Sequence, residues 1–206
     1  MDKKTIESGM QALSLIDQNI EKAFKALGPP PPRIRPRGFE TFLSIIVSQQ
    51  LSTKVATVIM ARVVALMQNV TAGGLMVIAD QDLRDAGLSW RKIEYVKGLA
   101  AAIVDGSFNV DELDSLSDED AIKAITKLRG FGRWSAEIYL MFSLQRQDIF
   151  PADDLGILVA LGQLKGLADK PTPKQAREMV SHWSPWRSIG ALFLWQYYHK
   201  PDSVKK

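Results

Sequence analysis

LRGFGRWSAEIYLMFSLQRQDIFPADDLGI, residues 128–157, places two glycines around one phenylalanine and, some 20 residues on, a pair of aspartates ahead of Leu-Gly. The apolar spacing on both sides of the glycines is helical, over 118–127 and 134–144, so Leu128–Gly132 reads as a reversal between two helices. Gly130 and Gly132 have no Cβ, which lets the chain turn tightly with positive φ. Main-chain N–H groups then face outward where the next helix's dipole favours anions, so the turn can hold a phosphate. Arg129 and Arg133 would add charge to it. A plain helix–helix connection, with glycine for packing, satisfies the same pattern. The flanks favour the anion: residues 105–120 hold seven acids, whereas 123–133 hold four bases, Lys123, Lys127, Arg129 and Arg133, and no acid. The acids read mostly as a solvated face, with Ser117 and Asp120 as a capping box for the helix at 118–128.

Helical spacing continues outward in both directions. Ile6, Met10, Leu13, Ile16, Ile20, Phe24 and Leu27 recur at intervals of three or four, one stripe of a single amphipathic helix stopped by Gly28 and the prolines at 29–32. A basic linker, Arg33 to Arg37, follows. The pattern predicts further helices over about 39–49, over 53–68 with Val55, Ile59, Val63 and Leu66 inward, and near 74–79. Others fall at 81–86, capped by Asp80 and closed by Gly87, and from Ser89 to about 105, closed by Gly106. A helix at about 155–164 and a final one beginning at Pro185 complete the set. No stretch sustains a two-residue alternation, so the expected class is all-α with about ten helices.

Composition removes several chemistries. With 206 residues, 46% hydrophobic and 24% charged, the chain is ordinary globular material. It has no cysteine, which excludes disulfides, thiolate zinc sites, a cysteine nucleophile and Cys-ligated iron–sulfur clusters. Two histidines, His182 and His199, leave almost nothing for a His-rich metal site or a hydrolase triad. Apolar runs fall far short of the roughly 20 residues a membrane span needs, and MDKKTIESGM is not a signal peptide, so a soluble cytosolic or nuclear protein is expected. The net charge of +3 permits an anionic partner without requiring one.

Three more strings accompany the hairpin stretch: FETFLSIIVSQQLSTKVATVI (39–59), GLSWRKIEYVKGLA (87–100) and SPWRSIGALFLWQYY (184–198). In this order, over most of residues 39–198, they resemble the helix-hairpin-helix DNA glycosylase superfamily. The branch they look most like is that of alkylation-repair enzymes, 3-methyladenine DNA glycosylase II and its yeast-type relatives. The resemblance implies a two-lobed fold, with 39–149 as one lobe, 1–38 together with 150–206 as the other, and the active-site cleft between them. It implies hydrolysis of the N-glycosidic bond of 3-methyladenine, 7-methylguanine and similar alkylated purines in double-stranded DNA during base excision repair, by a monomer and without a membrane. Two alternatives remain: a glycosylase for a deaminated or oxidised base, and a non-catalytic helix-hairpin-helix module that only holds DNA.

Breaking such a bond passes through a cation-like sugar, so a carboxylate beside it and an oriented water are the useful groups. Asp153 and Asp154 precede a helix, and by spacing either one serves equally well as its N-cap. The resemblance separates them: the family's catalytic aspartate stands directly before Leu-Gly, hence Asp154, leaving Asp153 to cap or orient. Relatives that also cut the strand carry a Schiff-base lysine two residues past the second glycine. Here that position is Trp134, which implies base release without strand cutting. Trp134 and Trp195 are then implied as walls of the base pocket, where an indole attracts a cationic base by about 0.5–2 kcal/mol; core packing is the alternative for both. Ile138 and Leu155 stand where the bacterial relative has tyrosines, so the pocket should be less aromatic. Ser48–Ser52 matches the loop that fills the gap left by a flipped base, with Gln50 as the wedge and Leu51 second, unless it is a plain loop with Ser52 as a cap. DNA contact is assigned to these two residues and to Arg129, Gly130, Gly132 and Arg133. The family's hairpin also binds Na+ or K+ through main-chain carbonyls, here those of Thr126, Leu128 and Phe131; no other cofactor is expected.

Overall fold

The computed structural model describes residues 1–199. Among them, the chain forms α1 (Lys3–Ile16), α2 (Gln18–Leu27), α3 (Phe39–Ser48), α4 (Thr53–Ala65), α5 (Ala72–Met76), α6 (Asp80–Asp85), α7 (Trp90–Val104), α8 (Asp118–Thr126), α9 (Arg133–Phe142), α10 (Leu155–Leu164), α11 (Pro173–Met179) and α12 (Arg187–Tyr198), with short 3-10 turns at Asp111–Asp114 and Ser181–Trp183. No strand occurs among the described residues, so the all-α expectation holds, with twelve α-helices in place of about ten. Two compact units result, Arg35–Tyr139 and Met1–Ile34 with Leu140 onward. The second division falls inside α9 rather than after residue 149.

In the unit made by the two chain ends, α1 packs on α2 and α12, and α10 packs on α12. Ile6, Met10, Leu13, Ile20, Ile157, Leu161, Ile189 and Phe193 fill its core. The single stripe expected over 6–27 is broken at Asp17, which is extended (φ −139°, ψ 104°) and caps α2 by accepting N–H groups from Asn19 and Ile20. A short carboxylate competes with the helix for its own backbone donors, and here it also accepts the Trp183 indole N–H at 2.7 Å and the Lys165 ammonium at 2.6 Å. Burial opposes the charge on Asp17, but those hydrogen bonds and Lys165 outweigh it and hold the carboxyl below its ordinary pKa. The final helix begins at Arg187, not Pro185, which follows a cis Ser184–Pro185 bond outside the helix. α11, opened by a Thr172–Gln175 capping box, lies in a stretch where the periodicity predicted nothing.

In the other unit, the rings of Phe108, Phe131 and Tyr139 surround Phe42 with centroids 5.5, 5.5 and 4.0 Å away. Leu43, Ile46, Val63, Leu75, Leu83, Val96 and Ile125 complete the core. α4 turns Ala56 and Val63 inward and leaves Val55 and Leu66 exposed, a rotation from the predicted face. Ala79, not Asp80, is the N-cap of α6. Ser117 caps α8 as expected, but the Asp120 carboxylate accepts the Ser117 hydroxyl instead of closing the box on the backbone.

Candidate active site and nucleic-acid interface

Phe150–Asp153 leads into α10, and Asp154 is its N-cap (φ −79°, ψ 119°). Asp154 Oδ1 accepts the Ile157 N–H at 3.0 Å and the Trp195 indole N–H at 3.1 Å. The packing of α10 on α12 brings this pair together. Trp195 is only 9% exposed and lies against Phe142, ring centroids 5.8 Å apart, so it is both a packed side chain and a donor to the carboxylate. A Cβ at Gly156 would stand 3.2 Å from Asp154 Oδ1, so glycine keeps the flank of the carboxylate open. The Leu-Gly after the aspartate therefore has a local purpose. Asp153 was the residue expected to cap; it is exposed and instead pairs with Arg177 at 3.2 Å. An aspartate that caps a helix and anchors an indole offers fixed negative charge at a defined point, as a positive sugar requires.

The hairpin is built differently. Phe131 N–H donates to the Leu128 carbonyl at 3.1 Å, and Phe131 inserts its ring into the core. Gly130 has φ +91°, and a Cβ there would collide with the Tyr95 ring, so both backbone and packing demand glycine. Gly132 does not share the positive φ expected of both, and nothing lies within 4 Å of where its Cβ would be. The fold itself makes no use of the missing side chain at 132. The opening it leaves lies next to the start of α9, and the first N–H groups of a helix lack partners within the helix.

The two arginines are already engaged. Arg129, largely exposed, pairs with Glu94. Arg133 donates to Glu119 and to the buried Glu137, both at 2.9 Å; its hydrogen bond to the Glu119 carboxylate leads in raising its pKa. The acidic run therefore reaches back and neutralises part of the basic flank.

The Ser48–Ser52 break adjoins this hairpin. Gln49 Nε2 donates to the Gly130 carbonyl at 2.8 Å. The Lys92 ammonium donates to the carbonyls of Val47 at 2.7 Å and Gln49 at 2.8 Å, and burial lowers its pKa. Beyond this anchor Gln50 takes a left-handed φ of 57° and, like Leu51, is exposed, while Ser52 caps α4. Gln50, Leu51, Tyr95, Gly130, Gly132 and Trp134 line one depression of about 750 Å³. The wedge residues, the hairpin and Trp134 thus share a surface within this unit, and Asp154 and Trp195 meet in the other. Gln49, Lys92 and Tyr95, which hold the surface together, were not singled out from sequence, although all three lie in the quoted strings.

Thr126 turns its hydroxyl back to the Ile122 carbonyl at 2.8 Å, leaving only main chain at the proposed cation position. Among the described residues, no cluster of three His, Asp or Glu side chains is arranged to hold a metal, and no helix is long and apolar enough to cross a membrane.

Helices closing on a glycine hairpin with an open main-chain face, and an aspartate heading a later helix, mark the helix-hairpin-helix class of base excision proteins. Residues 43–185 match the HhH-GPD superfamily of base excision DNA repair proteins, and the chain belongs to it. It is 32% identical to DNA-3-methyladenine glycosylase 1 of Schizosaccharomyces pombe, over 94% of this chain and 90% of that protein. The solved structure of the 3-methyladenine DNA glycosylase of the same yeast in complex with abasic DNA superposes with a TM-score of 0.84 at 31% identity, covering 91% of this chain and 95% of that one. The DNA-3-methyladenine glycosidase of Bacillus halodurans gives a TM-score of 0.84 at 28% identity, covering 93% and 89%.

Proposed function

We propose that this protein is a DNA glycosylase that hydrolyses the N-glycosidic bond of alkylated purines in double-stranded DNA and so starts base excision repair. The observation that carries the reading is Asp154, held at the head of α10 by two N–H donors and placed directly before Leu-Gly. In the reaction the bond between the sugar and the base breaks, the base leaves with the electron pair, and positive charge grows on the sugar. The Asp154 carboxylate stabilises that charge, and water adds to the sugar carbon and gives up a proton, to solvent or to the departing base, giving the free base and an abasic site. Trp134 has no amine with which to form a Schiff base, so the strand stays intact.

The hairpin main chain around Gly132 holds a phosphate, and Gln50 and Leu51, displayed beyond the Gln49 anchor, fill the gap left by the flipped base. Trp134 and Trp195 are each assigned a part in binding the extruded base, for which an indole suits a cationic purine. A Na+ or K+ ion would suit the hairpin because a monovalent cation needs only neutral oxygens: the Thr126, Leu128 and Phe131 carbonyls would hold it and add positive charge toward the phosphate. The protein acts as a monomer where the DNA lies, in a nucleoid or a nucleus.

The test is to incubate the protein with duplexes carrying 7-methylguanine, 3-methyladenine, uracil or 8-oxoguanine and score alkali-labile abasic sites. Release from the alkylated duplexes is expected. Release from uracil or 8-oxoguanine alone would move the enzyme to another lesion, and none at all would leave a DNA-binding module.

A further inference from the structure

After α2, Gly28 and the prolines at 29–32 lead into Arg33, a stiff approach because each proline fixes its own φ. Leu27, Pro30, Arg33, Leu192, Trp195 and His199 enclose a cavity of about 320 Å³. Within it the Arg33 guanidinium lies 5.7 Å from the centre of the Trp195 ring, the same indole whose N–H binds Asp154. The electron-rich face that would draw a cationic base therefore already meets a cation.

We propose that Arg33 is a specificity-determining residue, which weakens the advantage of positively charged bases at Trp195 and widens the range toward neutral ones. The inference rests on the reading of Trp195 as a wall of the base pocket. Two cations cannot share one face of an indole. If the base stacks on the opposite face, like charges stand across the ring, and in a partly buried site water screens them incompletely. A neutral base meets neither obstacle, and a guanidinium offers it five N–H donors.

The test is a charge series, Arg33→Lys, Arg33→Gln and Arg33→Glu, in single-turnover excision from duplexes carrying 7-methylguanine, which is cationic, or hypoxanthine, which is neutral. Arg33 is exposed, so the variants should fold, and melting temperatures check this. Removing the charge should raise 7-methylguanine release about two- to fivefold, the scale of one exposed cation–indole contact. The order should be Lys near wild type, then Gln, then Glu, with no matching rise for hypoxanthine and unchanged affinity for an abasic duplex. A flat series, a fall in 7-methylguanine release, or a proportional change for both bases would overturn the proposal. A parallel loss of abasic-duplex affinity would also overturn it, because Arg33 would then be a backbone contact. Trp195→Ala separates the two layers. If it leaves both rates unchanged, the pocket reading falls and takes the inference with it; if it slows release while the charge series is flat, only the inference falls.

Discussion

Around Asp154, side chains hold one another in place: a carboxylate oxygen takes an indole and a backbone N–H, and a glycine clears its flank. Around Gly130 and Gly132 the side chains withdraw. Arg129 and Arg133 are occupied by carboxylates, Phe131 points into the core, and the main chain is left to face outward. The first region suits a reaction in which charge develops at one atom, and the second suits a ligand whose charge repeats regularly and whose sequence does not matter.

The sharpest way to break this contrast is Asp154→Asn. Asparagine keeps an oxygen for the Ile157 and Trp195 donors but loses the charge, so single-turnover excision should fall roughly 100-fold or more while folding and abasic-DNA affinity persist. Asp153→Asn, which loses only an exposed pair with Arg177, should do far less. Equal and small losses for both would make Asp154 a helix cap and nothing else.

Acid should loosen the unit made by the two chain ends, where Asp17 and Asp148 are held charged below their ordinary pKa. For each, burial opposes the charge, and it is outweighed at Asp17 by Lys165 and Trp183 and at Asp148 by Arg187 and Ser184. A depressed folded pKa contributes stability above the unfolded value, about 3.9, and loses it as pH falls through the folded value. The melting temperature should therefore drop steeply below about pH 4. Asp17→Asn should cost about 2–3 kcal/mol at pH 7 and flatten that acid limb in a denaturation series.

The two hairpin glycines should separate cleanly. Gly130→Ala meets both a left-handed φ and Tyr95, and should cost about 1–3 kcal/mol of stability in urea unfolding. Gly132→Ala should leave unfolding unchanged yet weaken abasic-duplex binding about tenfold, as for one lost charge-assisted hydrogen bond. Stability loss at both would make the turn a packing device.

The smallest effect concerns the arginines. An exposed pair such as Arg129–Glu94 is worth little and can exchange for a phosphate, so Arg129→Gln should lower the log–log salt slope of binding by about 1. Arg133→Gln should leave the slope alone and lower the melting temperature instead, because Glu137 is buried.

Local signals were legible in the sequence. The helix class, the caps at Ser52, Ser89 and Ser117 and the hairpin follow from neighbours within a few residues, whereas spacing left Asp153 and Asp154 equivalent and only the resemblance separated them. The misreadings have long-range partners. Asp17 breaks a continuous stripe because Lys165 and Trp183, more than a hundred positions away, receive its carboxylate. The ion pair of Arg133 was not legible either, because Glu119, one helix earlier, reads as a solvated acid until α8 and α9 fold back together. Val55 and Leu66 satisfied a helical stripe, yet Ala56 and Val63 face the core, since a helix of mostly apolar residues leaves its own rotation underdetermined.

The Lys92 ammonium, seated on the carbonyls of Val47 and Gln49, has a thermodynamic consequence for the arrival of DNA. Fixing the backbone of one residue costs about 1–2 kcal/mol in conformational entropy. With the end of α3 clamped and Gln49 fastened to Gly130, that cost is met when the chain folds rather than when the duplex binds. On the proposed wedge role, Gln50 and Leu51 would then reach the base stack as a preorganised tip, and the unstacking of the damaged nucleotide would be opposed by little ordering of the protein.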